Sequence, residues 1–252
     1  YSLAANQNIP EAQFNLGFIY YSGQYISRDT NKAIYYYSLA ANQNHPEAQF
    51  YLGLIYYSGE YISRNINKAI YYYSLAANQN IPEAQFYLGM IYYSGQYISR
   101  NINKAIHYLS LAANQNIPEA QFNLGIINYK KQNIKRGIYW ITLSSANEFT
   151  KAHFALGFLY QEGKHVKKNI DESIKYYKKA SSFNNQYAKN NLGIIYKNYI
   201  EKKYDYTVYF DEAIRQKNDP VSMYNLSHAY IYEYQDDKFI DNSIGLLIQS
   251  SN

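Results

Sequence analysis

The residues best able to do chemistry are the histidines and a series of recurring glutamates. The histidines are His45, His107, His153, His165 and His228. No two of them are three or four residues apart, which is the spacing that places two metal ligands on one helix face. The chain has no cysteine, which excludes disulfides, thiolate-bound metals and a cysteine nucleophile. We therefore expect no metal site.

The glutamates recur at a fixed interval instead of forming acid/base pairs. Glu11, Glu47, Glu83 and Glu119 are 36 residues apart, and each follows a proline. A glutamate is favourable in the first turn of a helix, at the positive end of the helix dipole. Because the sequence also has no phosphate-binding glycine loop and no nucleophile elbow, we expect no catalytic residue, no cofactor and no enzymatic activity.

The same interval organises the whole sequence. Proline markers at positions 10, 46, 82 and 118 and glycines seven residues after them divide residues 1–252 into one array. We expect the end of a truncated preceding repeat at 1–9, followed by seven repeats at 10–45, 46–81, 82–117, 118–149, 150–185, 186–219 and 220–252.

Each repeat has the pattern of two helices. In the first repeat, Pro10 suits the first helical turn, where its missing N–H is not needed. Gly23 suits the left-handed conformation that ends a helix near Tyr21. Gly17 lies inside this helix at a cost of roughly 1 kcal/mol relative to alanine. Its recurrence predicts that a neighbouring helix passes too close for a side chain.

The second helix is predicted from about Asn31 to Asn42. Asp29 precedes it and is a residue type that caps helix starts. Asn44 lies where the chain must turn, and asparagine tolerates left-handed backbone geometry. Small residues at Ala40 and Ala41 would let helices approach closely.

These positions together resemble the Sel-1-like repeat, and Trp140 falls on that family's tryptophan position. The matching residues are Ala12, Leu16-Gly17, Tyr20, Gly23, Asp29, Lys32-Ala33, Tyr36-Tyr37 and Ala40-Ala41. The resemblance implies an all-α fold, a right-handed α-solenoid of about seven helix-turn-helix repeats of ~36 residues, similar to tetratricopeptide superhelices. It also implies a scaffold or adaptor that binds proteins.

Positions at which near-identical repeats differ are candidates for partner binding. Two such rows lie on the first helices, which line the concave surface in tetratricopeptide-like arrays. We hypothesise that they line a groove for a peptide or protein, since tyrosine and methionine suit such surfaces. For the row that begins at Phe18, packing between repeats is the alternative. The residues are Asn15, Phe18, Tyr51, Leu54, Tyr87, Met90, Asn123 and Ile126.

Loop tyrosines form a second candidate surface. Tyr25, Tyr61 and Tyr97 are spaced by one repeat. They could form an aromatic ladder for a partner, but we favour the interpretation that each ring covers the end of its own helix pair.

The second half of the chain is basic, with net charge +5 over residues 126–252 against zero over 1–125. Its basic residues cluster at Lys164, His165, Lys167 and Lys168, followed by Lys175, Lys178 and Lys179. Such a patch could bind nucleic acid, but a solvated helix face is the favoured interpretation, so we expect a protein or peptide partner and not nucleic acid.

Two further expectations concern the protein as a whole. No stretch is apolar enough to span a membrane, no signal-peptide pattern is present, and we expect a cytoplasmic protein. Because the sequence begins within a helix pattern, the alternative is a regulatory repeat region of a larger protein, for example a signalling enzyme such as a kinase.

Overall fold

The computed structural model describes residues 2–199, 207–217 and 220–229, and every regular element within them is an α-helix. The chain divides into two compact units, residues 1–128 and 129–252. The helices of the first unit are α1 Ser2–Asn6, α2 Pro10–Ser22, α3 Thr30–Asn42, α4 Pro46–Ser58, α5 Ile66–Asn78, α6 Pro82–Ser94 and α7 Ile102–Asn114. Helix α8, Pro118–Lys130, contains the boundary between the units.

The second unit continues the alternation of helices with short loops. Its helices are α9 Ile134–Ala146, α10 Thr150–Glu162, α11 Ile170–Ser182, α12 Gln186–Tyr199, α13 Thr207–Lys217 and α14 Pro220–Ala229. The predicted sixth and seventh repeats, 186–219 and 220–252, fall partly outside the described residues. The division into seven repeats therefore stays a prediction.

The first helix of each early repeat begins at its proline and ends at its glycine, as the sequence predicts. Pro10 opens α2, and Gly23 closes it with φ of 66° while its backbone N–H donates to the carbonyl of Ile19. The predicted end near Tyr21 is one residue short of the observed last residue, Ser22. A Cβ is unfavourable in the left-handed conformation, and glycine recurs at this position because it has none.

The second helix is held at its start by a side-chain cap. The Asp29 carboxylate accepts a hydrogen bond from the backbone N–H of Lys32 at 3.0 Å, and Asn65 caps α5 in the same way. After α3 the chain turns at Asn44, whose φ is 65°. The helix-start and turn predictions are both confirmed.

The core of the first unit is built around one buried second-helix residue per repeat. Tyr37 is fully buried with Ala33, Ala40 and Leu52, and Tyr73 has the same place in the next repeat. A Cβ on Gly17 would lie 2.7 Å from Cδ1 of Tyr37. The close approach inferred from the glycine is therefore real, and the neighbour is an aromatic ring on the second helix.

A buried amide ladder joins consecutive repeats of the first unit. Gln49 is 1% exposed, and its Nε2 donates to the carbonyl of Ala41 at 3.3 Å and to Asn44 Oδ1 at 3.2 Å. Its Oε1 accepts from Nε2 of Gln79 at 2.8 Å. The same bonds recur around Gln13 and Gln85. The ladder satisfies polar groups that would be costly to bury alone.

The second unit has an equivalent core around Tyr177. This side chain is fully buried with Ala188, Leu192 and Ile195. A Cβ on Gly157 would come within 2.6 Å of its ring. The same glycine–tyrosine approach thus positions the helices in both units.

Candidate functional site

The predicted binding residues lie on the first helices of the first unit, α2, α4, α6 and α8. Each helix contributes two of them, three residues apart, so that both lie on nearly the same face. This face, which we call the first-helix face, also holds the glutamate that begins each helix.

The apolar row keeps part of its surface open to solvent. Phe18 is 39% exposed, and Leu54, Met90 and Ile126 are half-buried. Phe18, Leu54 and Met90 are not among the side chains that pack against the described clusters around Tyr37 and Tyr73. The Phe18 ring does contact Tyr51 of the next repeat edge-on, with centroids 5.9 Å apart, so packing between repeats accounts for part of this row.

The tyrosines of the other row are more involved in packing than their variability suggested. Tyr51 and Tyr87 are half-buried. The Tyr51 ring stacks on the buried Tyr37 ring, with centroids 5.3 Å apart and planes 16° apart. Tyr87 stacks on Tyr73 at the same centroid distance with planes 3° apart. One face of each ring therefore supports the core, while part of each side chain stays exposed.

The asparagines of this row bond to their own helices. Nδ2 of Asn15 reaches Oε1 of Glu11 at 3.5 Å, and Nδ2 of Asn123 donates to the carbonyl of Glu119 at 2.7 Å. Tyr51 and Tyr87 stand fourteen residues after the tyrosines on which they stack, and Asn123 stands fourteen residues after Leu109. Asn191, at the same repeat position, follows Tyr177 and donates to its hydroxyl. Part of the variation between repeats is therefore structural compensation.

Two buried hydroxyls lie beneath this row. Tyr37 and Tyr73 are fully buried, and among the described residues neither hydroxyl has a hydrogen-bond partner. Burial raises the pKa of both phenols above the ordinary 10.0, and the neighbouring phenols of Tyr21 and Tyr51 raise the Tyr37 pKa further. These groups stay protonated at any physiological pH.

Comparison with known proteins matches this architecture. The Sel1 repeat family model matches residues 10–45, 46–81, 82–117, 118–148, 150–182 and 220–245. These segments make up most of the sequence. The chain belongs to the Sel1 repeat family. No curated protein matches the chain significantly.

Solved structures show the same Sel1 fold. A protective antigen of uropathogenic Escherichia coli with an SLR fold matches with a TM-score of 0.92 and 22% identity, over 99% of this chain and 55% of the antigen. A Sel1 repeat protein from Oxalobacter formigenes matches with a TM-score of 0.78 and 25% identity, over 98% of this chain and 74% of that protein. The chain thus spans about half the length of the antigen. The predicted all-α solenoid is confirmed.

The loop tyrosines of the Sel1 repeats contact the preceding repeat. Nη1 of Arg28 donates to the Tyr61 hydroxyl, and its guanidinium carbon lies 4.7 Å from the ring centroid. Arg64 makes the same contacts with Tyr97. Tyr25 is 77% exposed. The rings therefore link neighbouring loops, and their use as a partner ladder stays a hypothesis.

The basic residues of the fifth repeat are exposed, but several have partners. Lys175 pairs with Glu172 at 3.1 Å, and Lys179 pairs with Glu148 at 3.5 Å. Nζ of Lys178 lies 5.8 Å from the ring centroid of Tyr196. These contacts are typical of a solvated helix face that balances its own charge.

A cluster that the sequence did not suggest replaces the amide ladder in the fifth repeat. Ser145 Oγ lies 2.7 Å from Nδ1 of His153, whose Nε2 lies 3.1 Å from Oε2 of Glu148. His153 is fully buried, and Ser145 is 4% exposed. A substrate could not reach this hydroxyl. Aligning the repeats would have revealed the cluster, because these residues stand where Ala5, Gln13 and Asn8 stand in the first repeat.

The remaining chemistry of the array is limited. Among the residues described, no group of three or more His, Asp or Glu side chains could hold a metal ion. No helix in the described part of the chain is long and apolar enough to cross a membrane. His228 lies among the side chains outside the description.

Proposed function

We propose that this Sel1 array is a non-enzymatic scaffold that binds a peptide or protein on its first-helix face. Sel1 repeat proteins are generally protein-interaction scaffolds, and this chain belongs to that family. The proposal locates the binding surface on the residues at which the early repeats differ.

The observation that carries the proposal is the partly exposed apolar row. Phe18, Leu54 and Met90 occupy one repeat position, while the residues around them are nearly identical in the three repeats. They differ in shape, and the two described clusters near them do not include them. Apolar side chains that stay partly exposed on one face of successive helices are typical of a protein-interaction surface.

The experiment compares two sets of alanine substitutions. Phe18→Ala, Leu54→Ala and Met90→Ala together remove the row, and Tyr35→Ala, Tyr71→Ala and His107→Ala remove exposed rings from the second helices as a matched control. Partners captured by cross-linking in cells that express the native protein would be identified by mass spectrometry. We expect the first set to weaken binding of the captured partner by at least about tenfold and the control set to leave it unchanged.

Circular dichroism would show that both variants keep their helices. If the first set folds and binds as the native protein does, the first-helix face is not the binding surface.

A further inference from the structure

The charges of the first unit are segregated between its two kinds of helix. Up to residue 128, the first helices carry Glu11, Glu47, Glu83 and Glu119 and no lysine or arginine. All four glutamates are exposed. The second helices and loops carry every basic residue of this part of the chain.

Each of those basic residues lies over a tyrosine ring. Lysine Nζ atoms lie 4.9–5.2 Å from ring centroids, and arginine guanidinium carbons lie 4.7–5.1 Å from them. Such cation–π contacts hold the cations in place. The residues are Arg28, Lys32, Arg64, Lys68, Arg100 and Lys104.

The glutamates of the first-helix face have no such compensation. Within the described residues, none of the four pairs with a lysine or arginine. Glu11 and Glu47 share the imidazole of His45, at 3.0 Å and 3.2 Å. The first-helix face therefore presents a row of carboxylates without matching lysine or arginine.

The carboxylate row runs beside the tyrosine and apolar rows. Asn15 reaches Glu11 on α2. The pKa of Tyr51 is raised by burial and then by the negative charge of Glu83 on the next first helix. The carboxylates therefore lie close to the Asn15 and Tyr51 row of the first-helix face.

Two buried tyrosine hydroxyls lie beneath this surface. The ring of Tyr37 contacts Tyr21 on α2 and Tyr51 on α4, so its side chain reaches between these two first helices. Its hydroxyl is fully buried and has no hydrogen-bond partner among the described residues. The hydroxyl of Tyr73, in the next repeat, is also buried and without a partner among them. Because both hydroxyls are fully buried, a bound segment meets the glutamates and the apolar row and not these oxygens.

We propose that the first-helix face binds a basic amphipathic segment of a partner protein in extended form. Axes of packed helices are about 8–10 Å apart, and an extended chain advances about 3.3 Å per residue. A lysine or arginine at every third residue would therefore meet successive glutamates, with apolar residues between them on the Phe18 row. Carboxylates also disfavour a nucleic acid on this face.

This inference rests on the proposed function, and a selection experiment tests it. Random peptides of about 12 residues, long enough to span the four glutamates, would be displayed and selected against the folded full chain. We expect selected peptides to be enriched in lysine and arginine at intervals of three residues. The same peptides, synthesised with a fluorescent label, should bind more weakly as salt is added.

Neutral substitutions then identify the surface. Glu47→Gln, Glu83→Gln and Glu119→Gln should each weaken binding of a selected peptide about two- to fivefold, and together by at least tenfold. Glu60→Gln, which removes an equal charge from a loop, should leave binding unchanged.

The outcomes separate the two proposals. Selected peptides with no basic enrichment, which nevertheless lose binding when Phe18, Leu54 and Met90 become alanine, would overturn the charge inference and leave the binding face in place. Basic peptides that bind the triple glutamine variant normally would also overturn it. If no peptide is enriched above background, both proposals fail.

Discussion

Comparing a buried tyrosine hydroxyl that has no hydrogen-bond partner with one that has two tests how the repeats are packed. Tyr73 and Tyr177 occupy the same position in two repeats, and both side chains are fully buried. The Tyr73 hydroxyl has no partner among the described residues. The Tyr177 hydroxyl donates to Oε1 of Gln161 at 2.8 Å and accepts from Nδ2 of Asn191 at 2.9 Å. Removing the oxygen by phenylalanine substitution should therefore act in opposite directions at the two sites.

The magnitude follows from the hydrogen bonds. A buried polar group without a partner costs about 1–3 kcal/mol, and a typical hydrogen bond contributes about 1 kcal/mol. Tyr73→Phe should raise the free energy of unfolding by about 1 kcal/mol or more. Tyr177→Phe should lower it by about 1–2 kcal/mol, because it leaves Gln161 and Asn191 without this partner.

Urea denaturation measures both effects. Circular dichroism follows all helices, and fluorescence of Trp140, the single tryptophan, reports on the second unit. Two probes are needed because repeat arrays can unfold in stages. Tyr177→Phe should shift the fluorescence transition to lower urea, and Tyr73→Phe should shift part of the dichroism transition to higher urea. If Tyr73→Phe destabilises the protein as much as Tyr177→Phe, the inferred packing of the Tyr73 hydroxyl is wrong.

The raised phenol pKa values make the free energy of unfolding depend on pH, with a sign that can be worked out. A group whose pKa is higher in the folded than in the unfolded state binds fewer protons after unfolding once the pH exceeds its unfolded value. The contribution of Tyr37 and Tyr73 is therefore complete below pH 10.0, the unfolded value, and is lost as the pH rises above it. The double phenylalanine variant should lose less stability in alkali than the native protein.

Three further substitutions test other parts of the structure. Gln85→Leu should lower the free energy of unfolding by about 2–4 kcal/mol in urea titrations, since it leaves buried amide-ladder partners unsatisfied; an equal loss for the exposed loop variant Gln96→Leu would contradict this. Gly53→Ala places a Cβ 2.5 Å from the Tyr73 ring and should cost about 1–3 kcal/mol in the same assay; unchanged stability would show that the ring moves freely. A hydrogen bond from His153 lowers the pKa of Glu148, so stability present above pH 4.5 should be lost as the pH falls through the lower folded value. Glu148→Gln should remove this acid dependence, and an unaltered acid titration would contradict it.

Helix boundaries could be predicted closely because their signals are local. A proline in the first turn, a glycine at the end and an aspartate or asparagine cap act within a few residues. Thus α2 ends at Ser22 and α3 begins at Thr30, each one residue from its predicted limit. Tertiary packing did not override these signals.

Burial of polar side chains could not be predicted from such signals. Glutamine is usually found at the surface. Gln49 is nevertheless buried, because Asn44 and the next repeat complete its hydrogen bonds. Its recurrence in four successive repeats was the available clue, since an exposed position has no need to keep one residue type. His153 stands at the same position in the fifth repeat, so aligning the repeats would have indicated its burial as well.

The candidate site shows where comparison between repeats misleads. The residue type at the Tyr51 position varies between repeats, yet Tyr51 supports Tyr37 by stacking on its ring. Asn191, at the same repeat position, supports Tyr177 by a hydrogen bond. Two different solutions to burying one tyrosine therefore look like functional variation when a single position is compared. Phe18 contacts the edge of the Tyr51 ring, whereas Met90 is not among the side chains that pack against the cluster around Tyr73. Because neither described cluster includes Phe18, Leu54 or Met90, we infer that a partner on the first-helix face explains the differences in this row better than those in the tyrosine row.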